Sequence, residues 1–506
     1  MPTSRPNILL VMSDQHNARF MGNAGHPVVR TPALDQLAAQ GTRCSAAYCP
    51  HPLCVPSRMG FLTGRPPSEV GCWGNGSVLD FDTPTFAHAF AAAGWESVLC
   101  GRMHFEGPNQ FHGFQRRLFG DSTYSLSPEI LGQGRNRTNG QTRYAVEVAG
   151  HGQTGFQSFD QIVTDRACRF LRERSPADPP FCLVVGLMLP HNPLICSQRW
   201  FDYYMGALPP LELPTPREIE HLHPAIRAWR QRRDVDDLTP LRHRRALAAY
   251  CGLVSELDQN LGTLLRALRQ PAFADNTLVV YCSDHGDQAA EHGLWWKSSF
   301  YEGSARVPLI FHQPGRIPAG RELASVVSLI DIGPTLLELA GAPAMPTASG
   351  RSFARLLLNQ PSPSWPDEAF SEYAGDHGDR PSCMLRRGRW KLIYYSEFDS
   401  CQLFDMYSDP SEQHDLASDP AHRPILDALL ADIRQRWSAQ RMIDGLQRDR
   451  ERWKTIKDLP PIGPHPVEHH QPLPGDNAFD FSQLPQPPSL LRSLQNQQGV
   501  FPAVGR

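Results

Sequence analysis

From the N-terminus to about residue 340, short unbroken apolar runs alternate with longer stretches of helical period. Asn7–Met12, Ser97–Cys100, Phe181–Leu187, Thr277–Cys282 and Val307–Phe311 are such runs, the pattern of strands buried on both faces. Thr31-Pro32 predicts the start of a helix that runs through Leu34, Leu37 and Ala38 and closes at Gly41. Between Leu187 and Thr277, residues Leu247, Tyr250, Val254, Leu257, Leu261, Leu264 and Leu268 form one stripe, predicting a long helix over Arg244–Leu268. Strands separated by helices predict an α/β domain on a largely parallel sheet.

Proline-rich stretches interrupt this pattern at Ala207–Arg217, Ala342–Ser349 and Pro361–Pro366. The last two mark the expected boundary of a domain spanning residues 1–365. Beyond it, RRGRWKLIYY reads as a strand, QLFDMYSDPSEQHDL as a strand end and turn, and Ile425–Gln440 as a helix. These predict a small α+β domain over residues 366–458. From residue 459 to 506 the chain is rich in Pro, Gln and His with little periodicity, a tail expected to wrap another surface, as in a homo-oligomer, or to stay disordered.

A chain of 506 residues is long for a single core, which agrees with two domains. Its 49 basic and 52 acidic residues nearly cancel, which argues against a nucleic-acid binder. The arginines from Arg227 to Arg245 are interrupted by Asp234, Asp236 and Asp237, and read as a solvated helix face. The first apolar run is short and soon meets Asp14, so neither a signal peptide nor a membrane span is expected, and the location is expected to be cytoplasmic. In that compartment the 12 cysteines should be mostly free, and no C-x-x-C pair suggests structural zinc.

Candidate chemistry lies at the ends of the apolar runs. Asp14 follows the first, Arg102 and His104 the second, His191 the third and Asp284-His285 the fourth. Taken singly, each suits a helix cap or a surface histidine. Four together point to one shared site, because open α/β sheets bind ligands beyond the carboxyl ends of their strands. Asp14, Asp284 and His285 are donors suited to a divalent cation. Arg102, His104, His191 and Lys297 add cationic or proton-donating groups. A metal beside several cations matches an anionic tetrahedral centre, a sulfate or phosphate ester.

Cys54 is the candidate nucleophile. It stands just before a helix predicted from Pro56 to Thr63 and ending at Gly64, where the helix dipole and Arg58 favour a reactive thiol. Taken alone, a buried structural cysteine is the better explanation.

The segment Cys54-Val55-Pro56-Ser57-Arg58, followed by Thr63-Gly64-Arg65, resembles the C-x-P-S-R signature of the type I, formylglycine-dependent sulfatases. PNILLVMSDQ resembles the family's first metal strand, Gly101–Phe105 its G-K-x-H segment and Leu189–Pro193 its H-x-P loop. Ser283–Ile310 resembles its second metal strand and lysine segment, and QLFDMYSDPSEQHDLA its C-terminal domain. The resemblance implies an alkaline-phosphatase-like fold, a large mostly parallel sheet flanked by helices with a smaller C-terminal α+β domain. It also implies one divalent metal, held by Asp14, Gln15, Cys54, Asp284 and His285. Cys54 would be converted to formylglycine by a maturation enzyme. One hydroxyl of the hydrated aldehyde, polarised by the metal and Arg58, attacks sulfur; the second then expels sulfate. His104 is the implied base for that second step. His191 and Lys297 hold sulfate and protonate the departing oxygen. Arg102 stands where the family usually has lysine.

Asp14-Gln15 and Asp284-His285 replace the more common Asp-Asp and Asp-Asn, a combination similar to choline sulfatases and phosphonate monoester hydrolases. Gln15 removes a negative charge and His285 adds a nitrogen donor, so Mn2+ competes with Ca2+. Gly101–Phe114 and His292–Pro308 are similar to the choline-sulfatase side, which would put Asn75 in the substrate pocket. A quaternary ammonium needs an aromatic cage. Trp73, Trp95, Trp295 and Trp296 are available, but nothing sets them around one point, and Gly120–Gly155, where cage residues are expected, is poor in aromatics. The expected activity is hydrolysis of a small organic or aryl sulfate ester. A phosphonate monoester or phosphodiester hydrolase with the same site is the alternative, and a choline-type sulfatase the second.

Overall fold

The computed structural model describes residues 5–121, 138, 140–270, 273–375 and 380–457. The tail from residue 459 and, within Gly120–Gly155, residues 122–137 and 139 lie outside the described residues.

Strands are numbered β1–β14 in chain order. β1 (Asn7–Asp14), β2 (Thr42–Tyr48), β3 (Glu96–Gly101), β4 (Arg116–Phe119), β6 (Phe181–Pro190), β8 (Thr277–Ser283), β9 (Leu309–His312) and β10 (Arg321–Ser328) form an 8-stranded sheet in the order β10-β2-β9-β8-β1-β6-β3-β4. β5 (Gly150–His151) and β7 (Ile195–Cys196) make a small separate ribbon. The neighbours β8, β1, β6 and β3 are parallel, with Leu9 level with Val279 and Leu183, and Leu183 level with Val98. Their carboxyl ends therefore open on one rim.

These strands are buried on both faces, and period-two alternation divides them between two cores. Leu9, Val11, Leu183, Val185 and Tyr281 face the first core, together with Val254, Leu257 and Leu261 of the helix Pro240–Ala267. Ile8, Leu10, Met12, Val184 and Val280 face the second, with Val55, Met59 and Phe61 of the helix Cys54–Thr63. Gly186 of β6 allows the chain leaving β3 to pass closely, because a Cβ there would lie 1.7 Å from the Arg102 carbonyl oxygen.

The second sheet is antiparallel: β11 (Glu368–Tyr373), β12 (Ser382–Arg387), β13 (Trp390–Tyr395) and β14 (Ser400–Asp405), in sequence order. It is hooked to the main sheet by Glu372, whose N–H donates to Pro50 O (3.0 Å) and whose carboxylate accepts from Ser68 N (2.7 Å). The helix Ala439–Lys457 crosses back over Trp73, so closely that a Cβ on Gly445 would lie 2.2 Å from the indole.

Several expectations need correction. The run at Val307–Phe311 is a strand from Leu309, but antiparallel to both neighbours, so the sheet is mixed. RRGRWKLIYY is a hairpin rather than one strand, turning at Gly388 with φ 52°. Ile425–Gln440 spans two helices, Arg423–Arg436 and the start of Ala439–Lys457. Thr31 does not cap its helix through its side chain; Asp258 of the long helix accepts the N–H groups of Ala33 (3.0 Å) and Leu34 (2.8 Å) instead. The arginine cluster is not simply a solvated face. Arg230 and Arg233 are buried, Arg230 donating to Gly293 O at 2.6 Å, and Arg244 caps the carbonyls of Met205, Leu208 and Pro209.

All 12 cysteines are free thiols. Among the described residues no helix is long and apolar enough to cross a membrane.

Candidate active site

Asp14 ends β1, Arg102 and His104 follow β3, His191 follows β6, and Asp284-His285 follow β8. Cys54 and Arg58 lie in the first turns of the helix Cys54–Thr63, whose amino end meets this rim. Lys297 comes from the buried loop between β8 and β9. Every one of these side chains is buried.

Arg58 is the hinge of the arrangement. Its Nε donates to Asp284 Oδ2 (2.8 Å), Nη2 to Asp14 Oδ2 (3.1 Å) and Nη1 to the Arg102 carbonyl (3.1 Å). The guanidinium thus holds one oxygen of each carboxylate and turns the other toward Cys54 and His285. Arg58 positions the two aspartates, and three of its N–H groups are committed to that task. Arg102 adds a donor from Nε to Asp14 Oδ2 (2.5 Å) and one from Nη1 to Asp121 (3.5 Å). The planar fork reaches three partners at once, which a lysine ammonium on the same stem does less well.

The remaining Arg102 donor, Nη2, meets His104 Nδ1 at 2.8 Å. A neutral His104 accepting there carries its proton on Nε2, the nitrogen that faces Glu106 at 3.7 Å. Burial, and then Arg102, lower its pKa, so the neutral form is favoured. The base role implied for His104 therefore requires Arg102 to release Nδ1 first. His191 Nδ1 donates to the Asn192 carbonyl (2.6 Å), leaving Nε2 to accept from Lys297 Nζ (3.0 Å). Lys297 Nζ also reaches Cys54 Sγ at 3.0 Å.

Burial would raise the Cys54 thiol, but Lys297, His285, His104 and His191 hold it well below its ordinary value. Asp14 is likewise raised by burial and by Cys54, yet Arg102, His191 and Arg58 leave it lower than usual. For His285, burial opposes protonation, but Asp284 and Cys54 together raise the ring.

Ligand atoms of Asp14, Cys54, Asp284 and His285 lie within 4.8 Å of one another, a cluster able to hold a metal ion. His285 Nδ1 donates to Gly286 O (2.9 Å), which turns Nε2 to the cluster, the orientation common in ligating histidines. Gln15 supplies the most direct test of fit. Its Nε2 is held by Asp287 (2.5 Å) and Asn192 (3.3 Å), and its Oε1 is buried with no hydrogen-bond partner. A cation would satisfy that oxygen, and the donor set of carboxylates, one amide oxygen and one imidazole fits Ca2+ or Mn2+.

A profile of the family described as Sulfatase matches residues 6–342, a span that holds every residue of this rim. The chain belongs to the sulfatase family. A second profile, N-sulphoglucosamine sulphohydrolase, C-terminal, matches residues 290–439. A choline-sulfatase of Rhizobium meliloti (strain 1021) is 32% identical, covering 94% of this chain and 95% of that protein. Arylsulfatase K of Canis lupus familiaris is 31% identical over 82% of this chain and 79% of its own. Among solved structures, the phosphonate monoester hydrolase of Agrobacterium radiobacter superposes with a TM-score of 0.72 at 23% identity, covering 85% of this chain and 95% of that one. That likeness speaks to the fold, an alkaline-phosphatase-like sheet with a smaller C-terminal antiparallel one.

Within this sulfatase, Asn75 does not join the cluster through its side chain: its Oδ1 accepts the N–H of Val55 (3.0 Å), supplying the cap that the nucleophile helix lacks locally. The four tryptophans considered for a cage are scattered. Trp73 lies in the core of the second sheet, Trp95 in one core of the first, and Trp295 and Trp296 in the other. Three polar residues at the site escaped sequence reasoning: Asp121, Asn192 and Asp287. Asp121 follows β4 and Asp287 lies soon after β8, so the strand-end signal that found Asp14 could have found both. Burial pushes Asp287 up and Gln15 opposes it, whereas burial raises Asp121 but Arg102, His104 and Arg117 together bring it down to about 2.

Proposed function

We propose that this sulfatase releases sulfate from a small organic or aryl sulfate ester, with Cys54 converted to formylglycine by a maturation enzyme. The observation that carries this reading is the cationic and imidazole ring around Cys54 Sγ, with Lys297 Nζ at 3.0 Å and His285 Nε2 at 3.2 Å, and with His104 and His191 beside them. Converting the thiol to a neutral aldehyde removes the anion from this ring. A sulfate oxygen then answers the same cations, so the modified site favours an anionic tetrahedral group.

Asp14, Gln15, Asp284 and His285 hold a divalent cation, Ca2+ or Mn2+. When bound, the cation supplies Lewis-acid charge beside position 54, and the hydrated aldehyde supplies the hydroxyl nucleophile. The chain's own groups do the rest. Arg58 keeps the two carboxylates oriented, and Arg102 braces Asp14 and His104. Lys297, which donates toward both position 54 and His191, delivers the proton to the departing oxygen. His104 donates from Nε2 in the resting site and becomes a base when Arg102 withdraws. Asn75 fixes the start of the nucleophile helix and borders the substrate.

The substrate class is tested by rates on sulfate esters, phosphonate monoesters and phosphodiesters that share a leaving alcohol. The expected result is the highest kcat/KM for the sulfate. A clear preference for either phosphorus ester would overturn the reading in favour of the phosphonate or phosphodiester alternative. The cation is tested separately from activity. Chelation should lower the thermal midpoint, and Mn2+ or Ca2+ at about a hundred times Kd should restore about 2.7 kcal/mol of stability. A midpoint indifferent to both treatments would remove the metal from the site.

A further inference from the structure

Gln15 follows the last residue of β1 with φ 69°, in the left-handed region that a residue with a Cβ seldom adopts. Three of its four polar groups are held. Its N–H donates to Asp284 Oδ1 (3.1 Å), Nε2 to Asp287 and Asn192, and its carbonyl accepts from the hydroxyl of Tyr250 (2.8 Å). The same hydroxyl accepts the N–H of Asn17 (2.9 Å), and Asn17 Nδ2 donates to Asp287 O (2.8 Å). Tyr250 lies within the helix Pro240–Ala267, wholly buried, with its ring edge-on to Phe20 at 5.1 Å. One hydroxyl thus bridges both ends of the turn 15–17, reaching it from a position 235 residues along the chain.

We infer that Tyr250 is a positioning residue for the cation proposed above, on which its role rests: its hydroxyl holds Gln15 in the left-handed turn that aims Oε1 into the cluster. Oε1 is the one polar atom of Gln15 left buried without a hydrogen bond, so its use as a ligand depends on direction. Released from Tyr250, Gln15 gains by relaxing to negative φ. That change turns the side chain about the end of β1 and carries Oε1 off the ligand position. The turn presents one acceptor, Gln15 O, and one donor, Asn17 N–H, and a hydroxyl answers both where an apolar ring answers neither. Removing an outer group that orients a ligand weakens metal binding by about 10–100-fold.

The test is a binding measurement. Protein expressed with a maturation system is stripped of metal, matched for aldehyde content by peptide mass, and titrated with Mn2+, the free ion being followed by electron paramagnetic resonance. Tyr250→Phe is expected to raise the Mn2+ Kd about tenfold or more, and Gln15→Ala by at least as much. The double variant should bind no more weakly than Gln15→Ala alone, because Tyr250 acts through Gln15. A merely structural tyrosine would behave differently: Tyr250→Phe would lower the urea midpoint of the metal-free protein and leave Kd at the parent's value. That result overturns the inference, as do losses that simply add in the double variant. Phe20→Leu keeps the hydroxyl but loosens the ring behind it, and should raise Kd in the same direction by a smaller factor. It is read in place of Tyr250→Phe should that variant not fold, and an unchanged Kd then overturns the inference. A parent that binds neither Mn2+ nor Ca2+ fails the metal reading itself, and the role assigned to Tyr250 falls with it.

Discussion

Cys54→Ala is expected to lower ester hydrolysis about ten-thousandfold or more while leaving the protein folded. The nucleophile and its activating surroundings act as one unit, so removing the reacting atom forfeits nearly all that the surroundings contribute. Lys297, His191 and Arg58 remain, and so does binding of the anion. The variant should therefore keep a measurable Kd for inorganic sulfate. Peptide mass after expression with a maturation system gives the companion reading: an aldehyde at position 54 in the parent, and none in the variant. A variant with more than a tenth of the parent's rate, or a parent that stays entirely thiol and yet turns over, would move the nucleophile away from Cys54.

The second large effect concerns the joint between the two sheets. Lys391 of β13 is wholly buried, with its Nζ 2.8 Å from Glu302 and 2.7 Å from Glu412. Tyr48, at the end of β2, donates to the same Glu302 (3.0 Å) and accepts from Arg386 of β12 (3.1 Å). Burial opposes the Lys391 charge, but Glu302 and then Glu412 outweigh it and raise its pKa. Lys391→Met should cost about 3–5 kcal/mol, because it strands the Glu412 carboxylate in a dry interior, whereas Glu302 keeps Arg306 at 2.9 Å. The loss should appear as a lower urea midpoint. Adding Glu412→Gln should recover part of it, since the stranded charge causes most of the damage. An unchanged midpoint for the single variant would show that water reaches the triad.

Much of the site was legible in the sequence because strand ends in an open parallel sheet converge. Asp14, His191 and Asp284-His285 each follow an unbroken apolar run, and the adjacency of β8, β1, β6 and β3 turns that linear regularity into a shared rim. Arg321–Ser328 was missed because its exposed and buried positions do not alternate cleanly. Thr42–Tyr48 was missed because small and polar residues dilute its apolar signal. The hairpin within RRGRWKLIYY was missed because a single glycine, with no flanking loop, makes the turn.

By itself, the sequence determined which groups are available: a thiol before a helix, carboxylates and histidines after strands, and a lysine in the loop between β8 and β9. Those follow from local periodicity and residue type. Only the tertiary structure decided what each group does. Arg58 is turned inward to orient Asp14 and Asp284, Arg102 fixes which His104 nitrogen carries the proton, and Asn75 caps the helix that carries Cys54. The reason is physical: hydrogen bonds have direction, and the partners that hold Arg58, Arg102 and Val55 in place stand 20 to 226 residues away along the chain.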